Sequence, residues 1–431
     1  MIISKENIIE YFKSGIKDEK VFKIGIEHEK FLFDGKKNKR IDYSKVLEMF
    51  SALNEFGWRP IQEKGNIIGL NKGNKNITLE PGNQIELSGE KLNNIHEACS
   101  ESHDYLFELR QVTKKFNINI VSTGFDPISK LKEIPNNPKQ RYKLMTRDMP
   151  LNGELSLDMM YRTCGTQLNI DYSSENDFFK KFKIVNSIVP ISIALFANSS
   201  IVEKKKSNYL SYRSKVWQNT SQGGLPKLFF ENLNFEKYAE FVMNFPILFL
   251  QDKENYISGN KYNFKDFMDG KINEIGNRQP SENDLSLHLS TIFTENRLKK
   301  YIELRSMDTC GWDCLCAGPA FFIGLLYGNL DEVYNLISSW DKDKIINAYL
   351  NAPQKGFNTQ LMGKDLLYWA STLLEISKKG LDNRDVVNKS GKNETLFLYH
   401  LQKIINNKMT NADHMVSKFS KNEDLKDLYD K

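Results

Sequence analysis

The chain has 431 residues, 40% hydrophobic and 27% charged, with a formal net charge of +5. These values describe a soluble globular protein long enough for one large domain or two ordinary ones. No segment concentrates Lys and Arg among aromatics, which argues against a nucleic-acid surface, and the longest apolar runs, 188–197 and 317–327, are too short to span a membrane.

The first residues, MIISKENIIEYF, lack a signal-peptide core and cleavage site. They read as the start of an amphipathic helix over 5–15, capped by Ser4. Five cysteines fit a reducing compartment, so a cytoplasmic location is expected. In 22–33, Phe22, Ile24 and Ile26 alternate as one apolar face of a strand. Gly25, Glu27, Glu29 and Phe31 share the other face. The two carboxylates are roughly 7 Å apart at about 3.3 Å per residue, and Gly25 leaves room beside them. A strand facing water could carry the same E-x-E pattern. The sharper reading is a platform for Mg²⁺ or Mn²⁺, because clustered carboxylates repel unless a cation joins them. His28 falls on the apolar side and reads as a satisfied core histidine.

Residues 43–56 read as helix and 64–75 as strand and turn. In 77–89, ITLEPGNQIELSG, two strands flank a Pro81-Gly82 turn. Ile77, Leu79, Ile85 and Leu87 form its apolar face, and Thr78, Glu80, Gln84, Glu86 and Ser88 its polar one. A long helix is expected over 93–117, a strand over 118–122 and a loop over 133–139. Residues 161–172 read as a strand whose polar face carries Thr163, Gly165, Gln167, Asn169 and Asp171. Such a face is costly to bury without partners and suits the wall of a polar cleft. A helix interrupted near Pro190 covers 178–199. Residues 208–220 place Arg213 beside Tyr212 and Trp217. The stretch RLKKYIELRSMD, ending at 308, reads as a strand with Glu303 and Arg305 on one face. From 317 the chain is helical, with breaks expected at Pro353, Gly356, Gly380 and Gly391. The pattern is an α+β fold: a mostly antiparallel central sheet forming a cleft, covered by helices. It is expected to be a single catalytic domain over 1–431, with 317–431 a supporting helical portion.

Several strands thus offer Glu, Gln or Arg from a polar face. That chemistry suits a nucleotide whose phosphates are bridged to carboxylates by metal, with Arg stabilising the transferring group. Neither a G-x-x-x-x-G-K-[ST] loop nor a G-x-G-x-x-G turn is present.

The stretches IGIEHEKF (24–31), ITLEPGNQIELSG (77–89), RTCGTQLNIDYSSE (162–175), ALFANSS (194–200), YLSYRSKVW (209–217), HLSTIFTENRLKKYIELRSMD (288–308) and LCAGPAFFIGLLY (315–327) occur in this order. Together they resemble the plant and proteobacterial type of glutamate–cysteine ligase, a family with the glutamine-synthetase-like catalytic fold. The resemblance implies that ATP, L-glutamate and L-cysteine give γ-glutamylcysteine, ADP and phosphate through a γ-glutamyl phosphate, the first step of glutathione biosynthesis. Alternatives are a related ligase using another amine, or an inactive regulatory homologue. By the same resemblance Glu27, Glu29, Glu80 and Glu303 are the expected metal ligands. Gln167, Asn169, Glu86 and Arg147 are expected at substrate or ATP, and Arg162, Arg213 and Arg305 are the expected catalytic arginines. The partners implied are small-molecule substrates, with no nucleic acid or membrane, for a monomer or homodimer.

The sequence departs from the family at 218–226, QNTSQGGLP, where an acidic loop is shortened, and at Phe241, where a tyrosine is expected near the cysteine pocket. Cys99 and Cys316 align with a regulatory disulfide of the plant enzymes, so a bridge between them is a hypothesis; free core thiols are the default in a reducing cytosol. The crowding of Cys310, Cys314 and Cys316 lacks a second ligand pair for zinc. Cys164 reads as a buried small residue.

Overall fold

The structure, a computed structural model, describes residues 3–422, 428 and 429. Helix α1 (Lys5–Lys13) begins at a capping box in which Ser4 Oγ accepts from Asn7 N and the Asn7 side chain accepts from Ser4 N. Such a cap is worth about 1 kcal/mol. The helix buries Ile8 and Phe12.

The strands in chain order are β1 (Ile24–Asp34), β2 (Arg59–Glu63), β3 (Asn66–Lys72), β4 (Lys75–Leu79), β5 (Ile85–Ser88), β6 (Ile118–Val121), β7 (Gly165–Ile170), β8 (Asn296–Leu298) and β9 (Ile302–Asp308). They form one sheet in the order β8-β9-β7-β1-β5-β4-β3-β2, with β6 paired to the end of β1. Every pairing in it is antiparallel.

Period-two patterning gives this sheet one apolar and one polar face. The apolar face carries two cores. Ile24, Ile26, Leu168, Ile170, Ile302 and Leu304 pack with Phe178, Phe182 and Ile184 of α6 (Glu175–Ser187) and with α7 (Val189–Leu195). Ile77, Leu79, Ile85 and Leu87 pack with α2 (Tyr43–Leu53) and α3 (Ile95–Lys115). The α6–α7 break falls at Ile188, with Pro190 in the first turn of α7, where its missing N–H costs nothing.

Three expectations are corrected. Residues 161–164 do not extend β7, because Ser156–Arg162 is a helix. The strand read over 297–308 is a hairpin, with Arg297 paired to Glu303 across β8 and β9. Pro353 and Gly380 lie inside helices Lys342–Lys355 and Leu366–Arg384. Gly380 is there for close packing, since a Cβ on it would collide with the Gly324 carbonyl. No single described helix is long and apolar enough to cross a membrane.

Candidate active site

Register decides which polar side chains meet. In β1, Glu27 lies opposite Gln167 of β7, and Glu29 lies opposite Glu86 of β5. Glu303 of β9 lies opposite Asn169. Glu80 follows β4 and hydrogen-bonds the turn, its N–H donating to Gln84 O. These residues open onto a cavity of about 270 Å³, whose lining includes Glu27, Glu29, Glu80, Glu86, Gln167, Glu303 and Arg305.

One wall is acidic. Glu29 Oε2 accepts from Gly165 N at 2.5 Å. Glu86 Oε1 accepts from Thr78 Oγ1 and Ser88 Oγ, each at 3.0 Å. Burial and neighbouring Glu80 push the Glu29 carboxyl up to about 7. Burial, then Glu80, Glu27 and Glu29, raise Glu86 well above the usual range. Glu27 is raised by burial and by Glu303, while Asn169 Nδ2 donates to its Oε1 at 2.8 Å.

The other wall is cationic and already paired. Arg297 grips Glu303 as a fork, Nε to Oε2 at 2.6 Å and Nη2 to Oε1 at 3.0 Å. Arg305 Nη1 donates to Glu303 Oε1 at 3.1 Å and to Gln167 Oε1 at 2.6 Å. Lys299 Nζ lies 3.6 Å from Glu303 Oε2. Burial opposes ionisation of Glu303, yet Arg297, Lys299 and Arg305 hold its carboxyl well below the usual range. As placed, Glu303 is a counter-ion for three cations. Glu27, Glu29 and Glu86, with Glu80 beside them, are raised chiefly by burial and then by neighbouring acids, and Glu27 and Glu29 are only partly offset by Arg305 across the cleft.

Among the described residues no three acid, histidine or cysteine side chains form a ready metal cage. Each acid is instead turned to a local donor. The donor set still fits a hard divalent ion: it is all oxygen, and it gathers mutually repelling carboxylates on strands.

Four sequence assignments are corrected by position. Arg147 is 62% exposed and forks onto Asp148. Arg162 closes α5 (Ser156–Arg162), pairs with Asp158 at 2.9 Å and Glu203 at 3.3 Å, and lies over Phe125, outside the cleft lining. Arg213, in α8 (Tyr212–Trp217), sits behind the cleft; its Nη2 donates to Arg305 O, and Trp217 lies against both guanidinium groups. Asn169 reaches Glu27 but does not line the cavity, and its side chain fills the space expected beside Gly25. Phe241 packs on Phe229, Tyr238 and Phe245 along a shallow surface depression, away from the cleft. Gln84 is a peg, accepting from Gly82 N and donating to Met160 O and Thr163 O. His28 is buried against Tyr105, and neither ring nitrogen has a partner, so it is a core but unsatisfied histidine.

Residues the sequence reading missed also line the cleft: Arg141 and Tyr142 of helix α4 (Gln140–Asp148), with Arg297 and Lys299. The alternating R-x-K-x-Y-x-E-x-R of 297–305 was the signal for the last two. Arg141 lies over the Tyr142 ring, and Tyr142 and the nearby Glu80 carboxylate favour its charged form.

Cys99 and Cys316 are joined, with Cα atoms 5.9 Å apart, as are Cys310 and Cys314 at 6.1 Å. Cys164 is free and buried.

The fold and this cleft are those of a carboxylate–amine ligase built on an antiparallel sheet. A model of glutamate-cysteine ligase family 2 (GCS2) matches residues 23–431, and the chain belongs to that family. It is 38% identical to a chloroplastic glutamate–cysteine ligase of Nicotiana tabacum over 96% of this chain and 79% of that one. It is 36% identical to the chloroplastic enzyme of Arabidopsis thaliana over 97% and 80%. A crystal structure of Francisella tularensis glutamate–cysteine ligase in complex with AMP shares the fold, with a TM-score of 0.57 and 13% identity over 94% of this chain and 86% of that one. The cytoplasmic expectation does not hold against these relatives, which are named as chloroplastic enzymes.

Proposed function

We propose that the cleft joins the γ-carboxylate of L-glutamate to the amine of L-cysteine at the expense of ATP. The observation that carries this is the convergence of Glu27, Glu29, Glu80 and Glu86 on one wall, facing Arg297, Lys299 and Arg305 on the other, in one cavity. Membership of the family and the names of the relatives support the same reading.

A carboxylate is a poor electrophile, and phosphorylation gives it a leaving group. A γ-carboxylate oxygen of glutamate attacks the γ-phosphorus of ATP, the bond to the bridging oxygen breaks, and ADP leaves. The cysteine amine then attacks the acyl carbon; the C–O bond breaks, phosphate leaves and the amine releases a proton. Glu27, Glu29, Glu80 and Glu86 would hold Mg²⁺ or Mn²⁺, which neutralises phosphate charge when bound. Arg141, which lines the same cavity, is placed to meet an anionic substrate group. Glu303 keeps Arg297 and Arg305 aimed into the cleft, and Gln167 fixes Arg305 from β7. Arg213 and Trp217 brace that arginine from behind. The helices from 317 onward contribute no lining residue, which supports reading them as the structural part of one catalytic unit.

The test is product analysis by mass after incubation with ATP, Mg²⁺, glutamate and cysteine. γ-Glutamylcysteine and ADP in equal amounts are expected. ADP release that is no greater with cysteine than without it would refute the assignment of the amine.

A further inference from the structure

A second cavity of about 450 Å³ lies outside the cleft, around the chain that follows β9. Cys310 and Cys314 both line it, with Cα atoms 6.1 Å apart, inside the range a disulfide spans. This pair is separate from Cys99 and Cys316, which lie in the core. The sulfur of Cys314 lies between a donor and an acceptor: Asn411 Nδ2 donates to it at 3.6 Å, and Gly311 O lies 3.6 Å from it. His400 Nε2 lies 3.1 Å from Asn411 Oδ1. With the ring donating, the amide is fixed so that its N–H points at the sulfur, which favours a thiolate there. The same cavity is lined by Arg110, Lys418, His400 and His414, with Asp313 its one acid among the described lining residues. Arg110 Nε is buried without a hydrogen-bond partner. The volume falls in the range of small-molecule sites.

We propose that Cys310 and Cys314 form a thiol–disulfide exchange site for small disulfides that carry carboxylates. The Cys314 thiolate attacks one sulfur of the incoming disulfide, whose S–S bond breaks; one thiolate leaves and takes up a proton. The Cys310 thiolate then attacks Cys314 Sγ of the mixed disulfide, and the second thiol leaves. Two protein thiols are oxidised and one external disulfide is reduced to two thiols. The cationic lining selects anionic disulfides by steering.

The full-length protein is reduced, then exposed to oxidised glutathione or to cystamine, a cationic disulfide, and its cysteines are alkylated and mapped by mass. A Cys310–Cys314 link is expected to form with oxidised glutathione and to reopen with dithiothreitol in the native state. At low salt it should form at least about threefold faster than with cystamine, and Arg110→Ala with Lys418→Ala should close that gap. Cys310→Ser should trap the glutathione half on Cys314. Thiols that stay alkylatable throughout, a link that native dithiothreitol never opens, equal rates with the two disulfides, or no trapped adduct would each overturn the proposal.

Discussion

The two walls of the cleft are cut from one sheet, yet they are in opposite electrostatic states. On the cationic wall every charge has an opposite within reach: Arg297, Lys299 and Arg305 surround Glu303. On the acidic wall Glu29 and Glu86 face each other in register, and both are raised by burial and then by Glu80. Buried pairing makes the first wall structural, because an unpaired ion there costs several kcal/mol. Repulsion on the second wall is what the proposed divalent cation would relieve. One family of strands thus serves stability at one end and ligand binding at the other.

The sharpest way to break this comparison is to mutate each wall and read activity against stability. Glu29→Gln is expected to lower ligase turnover by about 10³-fold, from a loss of several kcal/mol of charge stabilisation, with an unchanged circular dichroism spectrum. Wild-type turnover would remove Glu29 from the metal site. Arg297→Ala acts on the other wall. It should destabilise the fold by about 3–5 kcal/mol in denaturant titration, because it strips the fork from buried Glu303. A loss under about 1 kcal/mol would mean that Lys299 and Arg305 suffice.

A smaller effect comes from the cation itself. Mg²⁺ at 100 times its Kd should stabilise the wild type by about 2.7 kcal/mol. Glu86→Gln should weaken that shift and raise the melting temperature of the metal-free protein, because it removes a repelling charge. A lower metal-free melting temperature would contradict the repulsive picture. The smallest effect is expected for Arg147→Ala: a change within about 0.5 kcal/mol, as for other exposed side chains, and unchanged kcat. Arg141→Ala, by contrast, should lower kcat with the fold intact. Equal kinetic losses in the two variants would show that solvent-facing Arg147 reaches the substrates after all.

That last pair shows what was legible in the sequence. Strand parity put Glu27, Glu29, Glu86 and Gln167 on the face that lines the cleft, because a period of two fixes the face once the other is apolar. Helix α4 gave no such lock. Arg141 and Arg147 lie on one short polar helix, and only tertiary packing turns the first inward. Arg162 was misplaced because residues 161–164 carry strand-like residues at the end of a helix. The hairpin 296–308 hid the Arg297–Glu303 pairing, which depends on a turn without Gly or Pro to mark it. Arg40, buried against Asp126, Phe31 and Phe33, holds the turn beside Glu80 through Gly82 O, and nothing in its local sequence announces it.

The most direct measurement is Mn²⁺ binding, followed by electron paramagnetic resonance in the wild type and in a Glu29→Gln, Glu86→Gln double variant, with and without ATP. The account predicts a bound-Mn²⁺ signal in the wild type that changes on adding ATP and is lost in the double variant. Equal Mn²⁺ binding by both proteins would contradict it.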